Sequence, residues 1–367
     1  MESKLKPSEL MAISVLLALL SLQNWANATP QVPCYFIFGD SLSDSGNNNK
    51  LLTSAKVNYP PYGFDFPQGP TGRFTDGRTI HDFIVKRLGF KDYMPPFADS
   101  EGKNILNGVN YASGAAGILD ATGYHRGGRI PFNEQIKNHK IIISRITDLM
   151  RNDSATKLHL SRCIYSVQIG SNDYINNYFK SALYHSGRRY TTQEFANVLI
   201  EQFSVQLKTL YDTGARKFAV YGLGLIGCTP DALSVYRPDG MPCVQKLNDG
   251  ATPFNERLKP LLDEFNRNLT DAKFTYLNPS GNPAGLVTNS SCCQTGGGDG
   301  ELCHPNSKPC RNPRQYLFWD GAHPTEVWNE MIAKSAYDSE KPEEANPFNI
   351  RKLAMQVMPL SFEKHRL

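Results

Sequence analysis

An α/β fold, with a parallel sheet covered on both faces by helices, is what the sequence predicts, on two observations. Short apolar runs alternate with longer amphipathic segments along most of the chain, at the intervals of right-handed βαβ units. Several of those runs break at their carboxyl ends into glycine and small polar residues, and open parallel sheets keep their chemistry at those ends. No internal repeat or low-complexity tract interrupts the pattern, so the body of the chain reads as one domain.

The first segment is set apart from that body. Lys4 and Lys6 form a weakly basic start, Met11 to Leu22 is mostly apolar, and Ala26-Asn27-Ala28 offers a small-x-small cleavage site. Residues 1–28 are therefore expected to be a secretory signal peptide and residues 29–367 a single domain. The apolar part is short for a membrane span, and an uncleaved anchor is the alternative reading. A net charge of +4 in 367 residues points to neither nucleic acid nor an acidic substrate. All eight cysteines follow the expected cleavage site, and an even count in an exported chain favours disulfides, of open connectivity. Sequons at Asn152, Asn268 and Asn289 fit a glycosylated exported protein.

The elements follow in order. Tyr35-Phe36-Ile37-Phe38 is an apolar, aromatic run that ends abruptly at Gly39, which reads as a buried strand. Asn47 to Thr79 is loop-rich, yet its aromatics (Tyr59, Tyr62, Phe64, Phe66, Phe74) imply packing, or the lining of an acyl groove. Ile80, Phe83, Ile84 and Leu88 give Ile80 to Leu88 a helical face. Val109 to Ile118 reads as a strand running into a small-residue loop, and Ile130 to Met150 as a long helix. Cys163 to Ile169 is a strand, Phe195 to Tyr211 a helix with Gly214 at its C-cap, and Lys217 to Tyr221 another strand. Phe254 to Phe265 is a helix and Lys273 to Leu277 a strand. Cys292, Cys293, Cys303 and Cys310 sit in a glycine-rich stretch that reads as a disulfide-stapled loop, with a zinc site including His304 as the competing reading. Gly296-Gly297-Gly298 lacks the strand–loop–helix setting of a phosphate loop.

Ser41 lies just past the first strand end, where a nucleophile would be displayed. Near the other end of the chain, Asp320-Gly321-Ala322-His323-Pro324 leads into a predicted helix that starts at Pro324, with Glu326 near its positive end. A carboxylate three residues before a histidine can accept from one imidazole nitrogen and leave the other free to take a serine proton. No Gly-x-Ser-x-Gly elbow surrounds Ser41, so the oxyanion donors must come from other loops. Ser41 N–H, Gly114 N–H and the Asn172 side-chain amide are the candidates.

Taken together, Gly39-Asp40-Ser41-Leu42, Asn110-Tyr111-Ala112-Ser113-Gly114, Gly170-Ser171-Asn172-Asp173-Tyr174 and Asp320-Gly321-Ala322-His323-Pro324 resemble the four blocks of the GDSL esterase/lipase family of SGNH hydrolases, in its plant secreted branch. Gly72-Arg73-Phe74-Thr75-Asp76-Gly77-Arg78 and the stretch from Tyr221 to Pro230 carry similar phrasing. The resemblance runs from about Cys34 to the tail. It implies a three-layer α/β/α sandwich with a central parallel sheet, flavodoxin-like, with Ser41, Asp320 and His323 as catalytic residues and Ser41, Gly114 and Asn172 around the oxyanion. The family often carries two glycines where this chain has Gly114-Ala115. The added methyl is expected to leave the Gly114 amide pointing inward. The tail from Asp338 to Leu367 is only loosely family-like and is assigned no role.

The function expected is hydrolysis of a carboxylic ester through an acyl-enzyme, without metal or organic cofactor, in an extracellular, apoplastic or cell-wall setting. Activity is expected to fall as pH drops through the ordinary histidine value of about 6.5. An acyltransferase using the same serine, and a silent binding protein on the same scaffold, are the alternatives. Lipid, cutin-type, acetylated-polysaccharide and phenolic esters all fit the motifs, and the oligomeric state is open.

Overall fold

The computed structural model describes residues 29–236, 240–296 and 301–358; the expected leader and two of the three consecutive glycines lie outside the described residues. β1 (Tyr35–Gly39) forms where the sequence turns apolar, and every residue of it is buried. α1 (Ile80–Arg87) opens on a capping box between Thr79 and Asp82. α2 (Phe132–Met150) and α3 (Asp153–Arg162) follow, the second capped by the Asn152 side chain. β2 (Ile164–Gln168) leads to α4 (Thr192–Asp212), which starts on a second capping box, Thr191 with Glu194, and stops just before Gly214 at φ +111°. Then come β3 (Lys217–Tyr221), α5 (Pro230–Tyr236), α6 (Gln245–Asn268), β4 (Lys273–Leu277), β5 (Val287–Ser291), β6 (Tyr316–Phe318), α7 (Glu326–Asp338), β7 (Ala345–Asn346) and α8 (Ile350–Met355).

The main sheet runs β1-β2-β3-β4-β7, parallel through β4 and antiparallel at β7, while β5 and β6 form a separate parallel pair. Alternate residues face opposite layers. Phe36 and Phe38 pack with Phe132, Phe203 and Phe254, from α2, α4 and α6. Tyr35 and Ile37 pack with Ile84, Ile332 and Leu353, from α1, α7 and α8. That is the three-layer sandwich, and burial on both faces explains why β1 to β3 are unbroken apolar runs with little polar alternation.

Four departures from the sequence reading have local causes. Val109 to Ile118 runs parallel beside β1, with Tyr111 N–H donating to Ile37 O, but it is no regular strand. The Asn110 side chain captures Ala112 N–H and donates to Ser43 O, taking over ladder partners. α6 starts nine residues before the expected Phe254 and passes through Pro253 and Pro260. Its buried face, from Leu247 through Ala251 to Leu262, continues across both prolines and outweighs the lost backbone bonds. α7 begins at Glu326 with Thr325 as N-cap, because Pro324 is still bridged to Phe318. The tail has a structural role: β7 extends the sheet beside β4, and α8 covers it.

Disulfides join all eight cysteines as Cys34–Cys163, Cys228–Cys243, Cys292–Cys310 and Cys293–Cys303. The zinc reading of Cys303 and His304 therefore loses its thiolates. Asn152, Asn268 and Asn289 are all exposed.

Candidate active site

Gly39 closes β1, and a side chain would not fit there: a Cβ would meet Gln168 O of β2 at 2.6 Å. The chain then turns back on itself. Asp40 O accepts from Ser43 N–H and Asp44 N–H at 3.1 and 3.0 Å, and Asp40 Oδ1 accepts Leu42 N–H at 3.0 Å. Ser41 sits at the apex, half-buried, and among the described residues its own N–H has no partner. Asp44 anchors the far side of the turn by accepting from Gly46 and Asn47 N–H.

A second tight turn follows β6. Trp319 N–H donates to His323 O at 2.8 Å, while Asp320 Oδ1 accepts from Ala322 N–H and His323 N–H at 2.9 and 2.7 Å. The two turns meet. His323 Nδ1 lies 2.8 Å from Asp320 Oδ2, and His323 Nε2 lies 2.8 Å from Ser41 Oγ. An ionised carboxylate only accepts, so Nδ1 carries the hydrogen and Nε2 is free to accept from the serine hydroxyl. Asp320 and His323 are buried. Burial works to lower the His323 pKa, but the charge and hydrogen bond of Asp320 outweigh it and hold the imidazole above its ordinary 6.5.

A segment distant in sequence clamps the second turn. Glu326 N–H donates to Asp76 Oδ1 at 2.6 Å, and the Glu326 carboxylate takes both Arg78 N–H and its guanidinium. Gly77 leaves room for that carboxylate, since a Cβ would sit 2.0 Å from Glu326 Oε2 and push it off Arg78. Arg73 pairs in a fork with Asp82 of α1, both buried.

Asn172 lines the same cavity as Ser41 and His323. Its amide is fixed: Oδ1 accepts from Asn176, and one Nδ2 hydrogen goes to Ala116 O at 3.0 Å, leaving the other free. Asp173 ties this loop to the next by accepting from Ile118 N–H, Leu119 N–H and Thr122. Gly114 departs from expectation. Its N–H points at Asp44 Oδ2, 3.0 Å away, and not inward. The following residue, Ala115, takes a left-handed φ of +64°, and its N–H has no partner among the described residues.

Sequence reasoning missed Tyr62. Its hydroxyl donates to Asp320 Oδ2 at 2.6 Å and accepts Cys303 N–H at 3.0 Å. Phe74 lies against the His323 ring, 4.9 Å between centroids. Tyr59, Tyr62 and Phe74 thus back the second turn, Phe66 packs on Tyr93 instead, and none of the aromatics from Tyr59 to Phe74 lines the cavity. That cavity, about 350 Å³, is walled by Ile169, Ile175, Leu223, Leu225, Phe318 and Trp328, among others.

The GDSL-like lipase/acylhydrolase family model matches residues 35–336. Three GDSL esterase/lipases of Arabidopsis thaliana are similar over most of both chains. Two are 44% identical, across 93% and 94% of this chain and 98% of their own; a third is 46% identical across 90% of this chain and 93% of its own. The chain therefore belongs to the GDSL-like lipase/acylhydrolase family, the ester-bond hydrolases to which its four sequence blocks pointed.

Proposed function

We propose that the protein is an exported serine esterase/lipase in which Ser41 is the nucleophile, His323 the general base and acid, and Asp320 the group that orients the imidazole. The observation that carries this reading is the unbroken path from Ser41 Oγ through His323 Nε2 and Nδ1 to Asp320, with 2.8 Å at each contact. Nε2 takes the hydroxyl proton as Oγ attacks the ester carbonyl, then returns it to the departing alcohol; water repeats the sequence on the acyl-enzyme. Ser41 N–H and the free Asn172 amide hydrogen stabilise the oxyanion. Gly114 N–H is held by Asp44 and is not free to serve as a third donor.

A leader over residues 1–28, followed by one domain over 29–367, accounts for export, and four disulfides suit an oxidising compartment. The apolar walls of the cavity favour an ester with an extended aliphatic portion over an acetyl group on a polysaccharide. The test is hydrolysis of p-nitrophenyl esters from acetate to palmitate, with covalent labelling by a serine-directed phosphonate. Wild type should be labelled and prefer chains longer than acetate, and Ser41→Ala should lose both properties. A Ser41→Ala variant that hydrolyses like wild type would exclude the assignment.

A further inference from the structure

One charged side chain in the cavity wall takes no part in the proton path. Among the described residues that wall the cavity there is no lysine or arginine, and three can carry charge: Asp40, His323 and Glu301. Asp40 is committed to the nucleophile turn through Leu42 N–H, and His323 is the candidate base. Glu301 is held from two directions. Its backbone O accepts Gly321 N–H at 2.7 Å, which fixes it to the Asp320–His323 turn. Its Oε2 accepts from Arg126 Nη2 at 2.6 Å, and the two side chains are only 13% and 10% exposed. Arg126 is itself placed, because its backbone O accepts from Ser54 N–H at 2.8 Å and from the Thr53 hydroxyl at 3.0 Å. Glu301 Oε1 has no partner among the described residues. A carboxylate accepts through both oxygens, so this one keeps capacity for a donor that a ligand brings.

The direction of the reaction identifies which part of an ester would bring that donor. The alcohol oxygen takes its proton from His323 Nε2 as it departs, so the alcohol portion lies on the His323 side of the scissile bond. The carbonyl oxygen faces the other way, toward Ser41 N–H and the Asn172 amide. Glu301 belongs to the His323 side: it is bonded to the same turn, and its negative charge reaches the imidazole. The apolar walls are left to the acyl portion. We propose that Glu301 is the specificity-determining residue for the alcohol portion. Its carboxylate accepts a hydroxyl hydrogen from that portion, so the substrate is an ester of a polyhydric alcohol that keeps at least one free hydroxyl. A glycerol ester and a sugar ester both present that chemistry. This inference rests on the esterase reading above.

The experiment compares esters that differ only in hydroxyl groups. Glycerol 1-monobutyrate and propyl butyrate share one carbon skeleton, and glucose 6-butyrate is the sugar counterpart. The readout is kcat/KM for each hydroxylated ester divided by that for propyl butyrate, measured on the full-length enzyme. Glu301→Leu should lower this ratio at least about tenfold for the glycerol ester, the glucose ester or both, as loss of a hydrogen bond to a charged acceptor does. The ester with the larger drop identifies the source of the alcohol. Glu301→Gln keeps the volume and a neutral acceptor, so its ratio should fall by about threefold, and it carries the test if the leucine variant does not fold. Ratios that stay at the wild-type value for both hydroxylated esters overturn the proposal. So does a loss shared equally with propyl butyrate, which would make Glu301 only a prop for the base turn. A wild type that hydrolyses none of these esters, nor p-nitrophenyl butyrate, refutes the esterase reading instead. Binding by the Ser41→Ala protein, followed by saturation-transfer NMR, then decides the point. Preference for a hydroxylated ester over propyl butyrate that Glu301→Leu abolishes supports the role of Glu301, and equal binding overturns it.

Discussion

Replacing Tyr62 by phenylalanine removes one oxygen from the support of the candidate base and keeps the ring that packs there. Both Tyr62 and Asp320 are buried, and burial, with the charge of Asp320 added, pushes the tyrosine pKa well above its ordinary 10. The hydroxyl is therefore a donor at every working pH. Its bond to Asp320 Oδ2, at 2.6 Å, is to an ionised acceptor, a class worth about 1.5–3 kcal/mol. The change also strands Cys303 N–H, which among the described residues meets only this oxygen. Stability should fall by about 2–3 kcal/mol, read from the midpoint of denaturant unfolding.

The more discriminating readout is the pH profile. Asp320 Oδ2 is shared between Tyr62 and His323 Nδ1. Without the tyrosine, that charge falls more fully on the imidazole and favours its protonated form. The acid limb of kcat/KM should therefore move to higher pH, by at most about one unit, equivalent to about 1.4 kcal/mol. Tyr59→Phe is the control, because that hydroxyl donates to Cys303 O and does not touch Asp320; its acid limb should stay in place. A Tyr62→Phe limb that stays put, or moves down, would refute the argument that the hydroxyl tunes the base.

Other outcomes follow from the same geometry. In the wild type the acid limb should have its midpoint above the ordinary 6.5, since His323 is raised and only its neutral form accepts a proton; Asp320→Asn should lower kcat by about 10⁴, checked on p-nitrophenyl butyrate. Asn172→Ala should lower kcat by about 10²–10³ with little change in KM, as removal of an oxyanion donor does. Gly77→Ala should cost about 1–3 kcal/mol in denaturant unfolding, because the methyl displaces Glu326 from Arg78. Thermal unfolding followed from pH 7 to 5 should show the protein becoming more stable; a falling midpoint over that range would contradict the buried-carboxylate balance.

What the sequence made legible is what it encodes locally. Ser41 and Asn172 could be found because each follows an apolar run that stops at a glycine, and Asp320 with His323 because one short turn holds both. The sheet was legible for the same reason, as burial on two faces leaves long unbroken apolar runs. Tyr62 was not, since its partner is 258 residues away and an aromatic cluster looks the same whether it packs or supports a carboxylate. Gly114 misled because its N–H direction is set by Asp44 from another loop. The tail gave no signal because β7 is two residues long and gains its meaning only beside β4.

The turns that hold the candidate site also give the fold a pH dependence opposite to that of the chemistry. Each turn is pinned by a buried carboxylate gathering backbone N–H groups. Burial raises Asp40 to about 7 and Asp44, Asp76 and Asp173 to about 6, with their hydrogen bonds only partly compensating. A carboxylate with a raised folded pKa opposes folding most when ionised, above that pKa, and the cost shrinks as pH falls toward the unfolded value near 4. His81 and His139 act the other way: burial lowers them to about 4 and 3, so stability is lost as pH falls through the unfolded value of about 6.5. Between pH 7 and 5 protonation relieves the burial cost of the four carboxylates, while the two histidines work against the fold. His323, raised, joins the first set and His159, lowered, the second. The raised carboxylates outnumber the opposing histidines, so the folded state gains at the lower pH. His323, held above 6.5, also takes a proton as pH falls, and the candidate nucleophile then loses its base. The groups that pre-organise the site thus make the protein most robust where it is least active, and a substitution that relieves one buried carboxylate, such as Asp76→Asn, should flatten the stability profile without moving the acid limb set by Asp320 and His323.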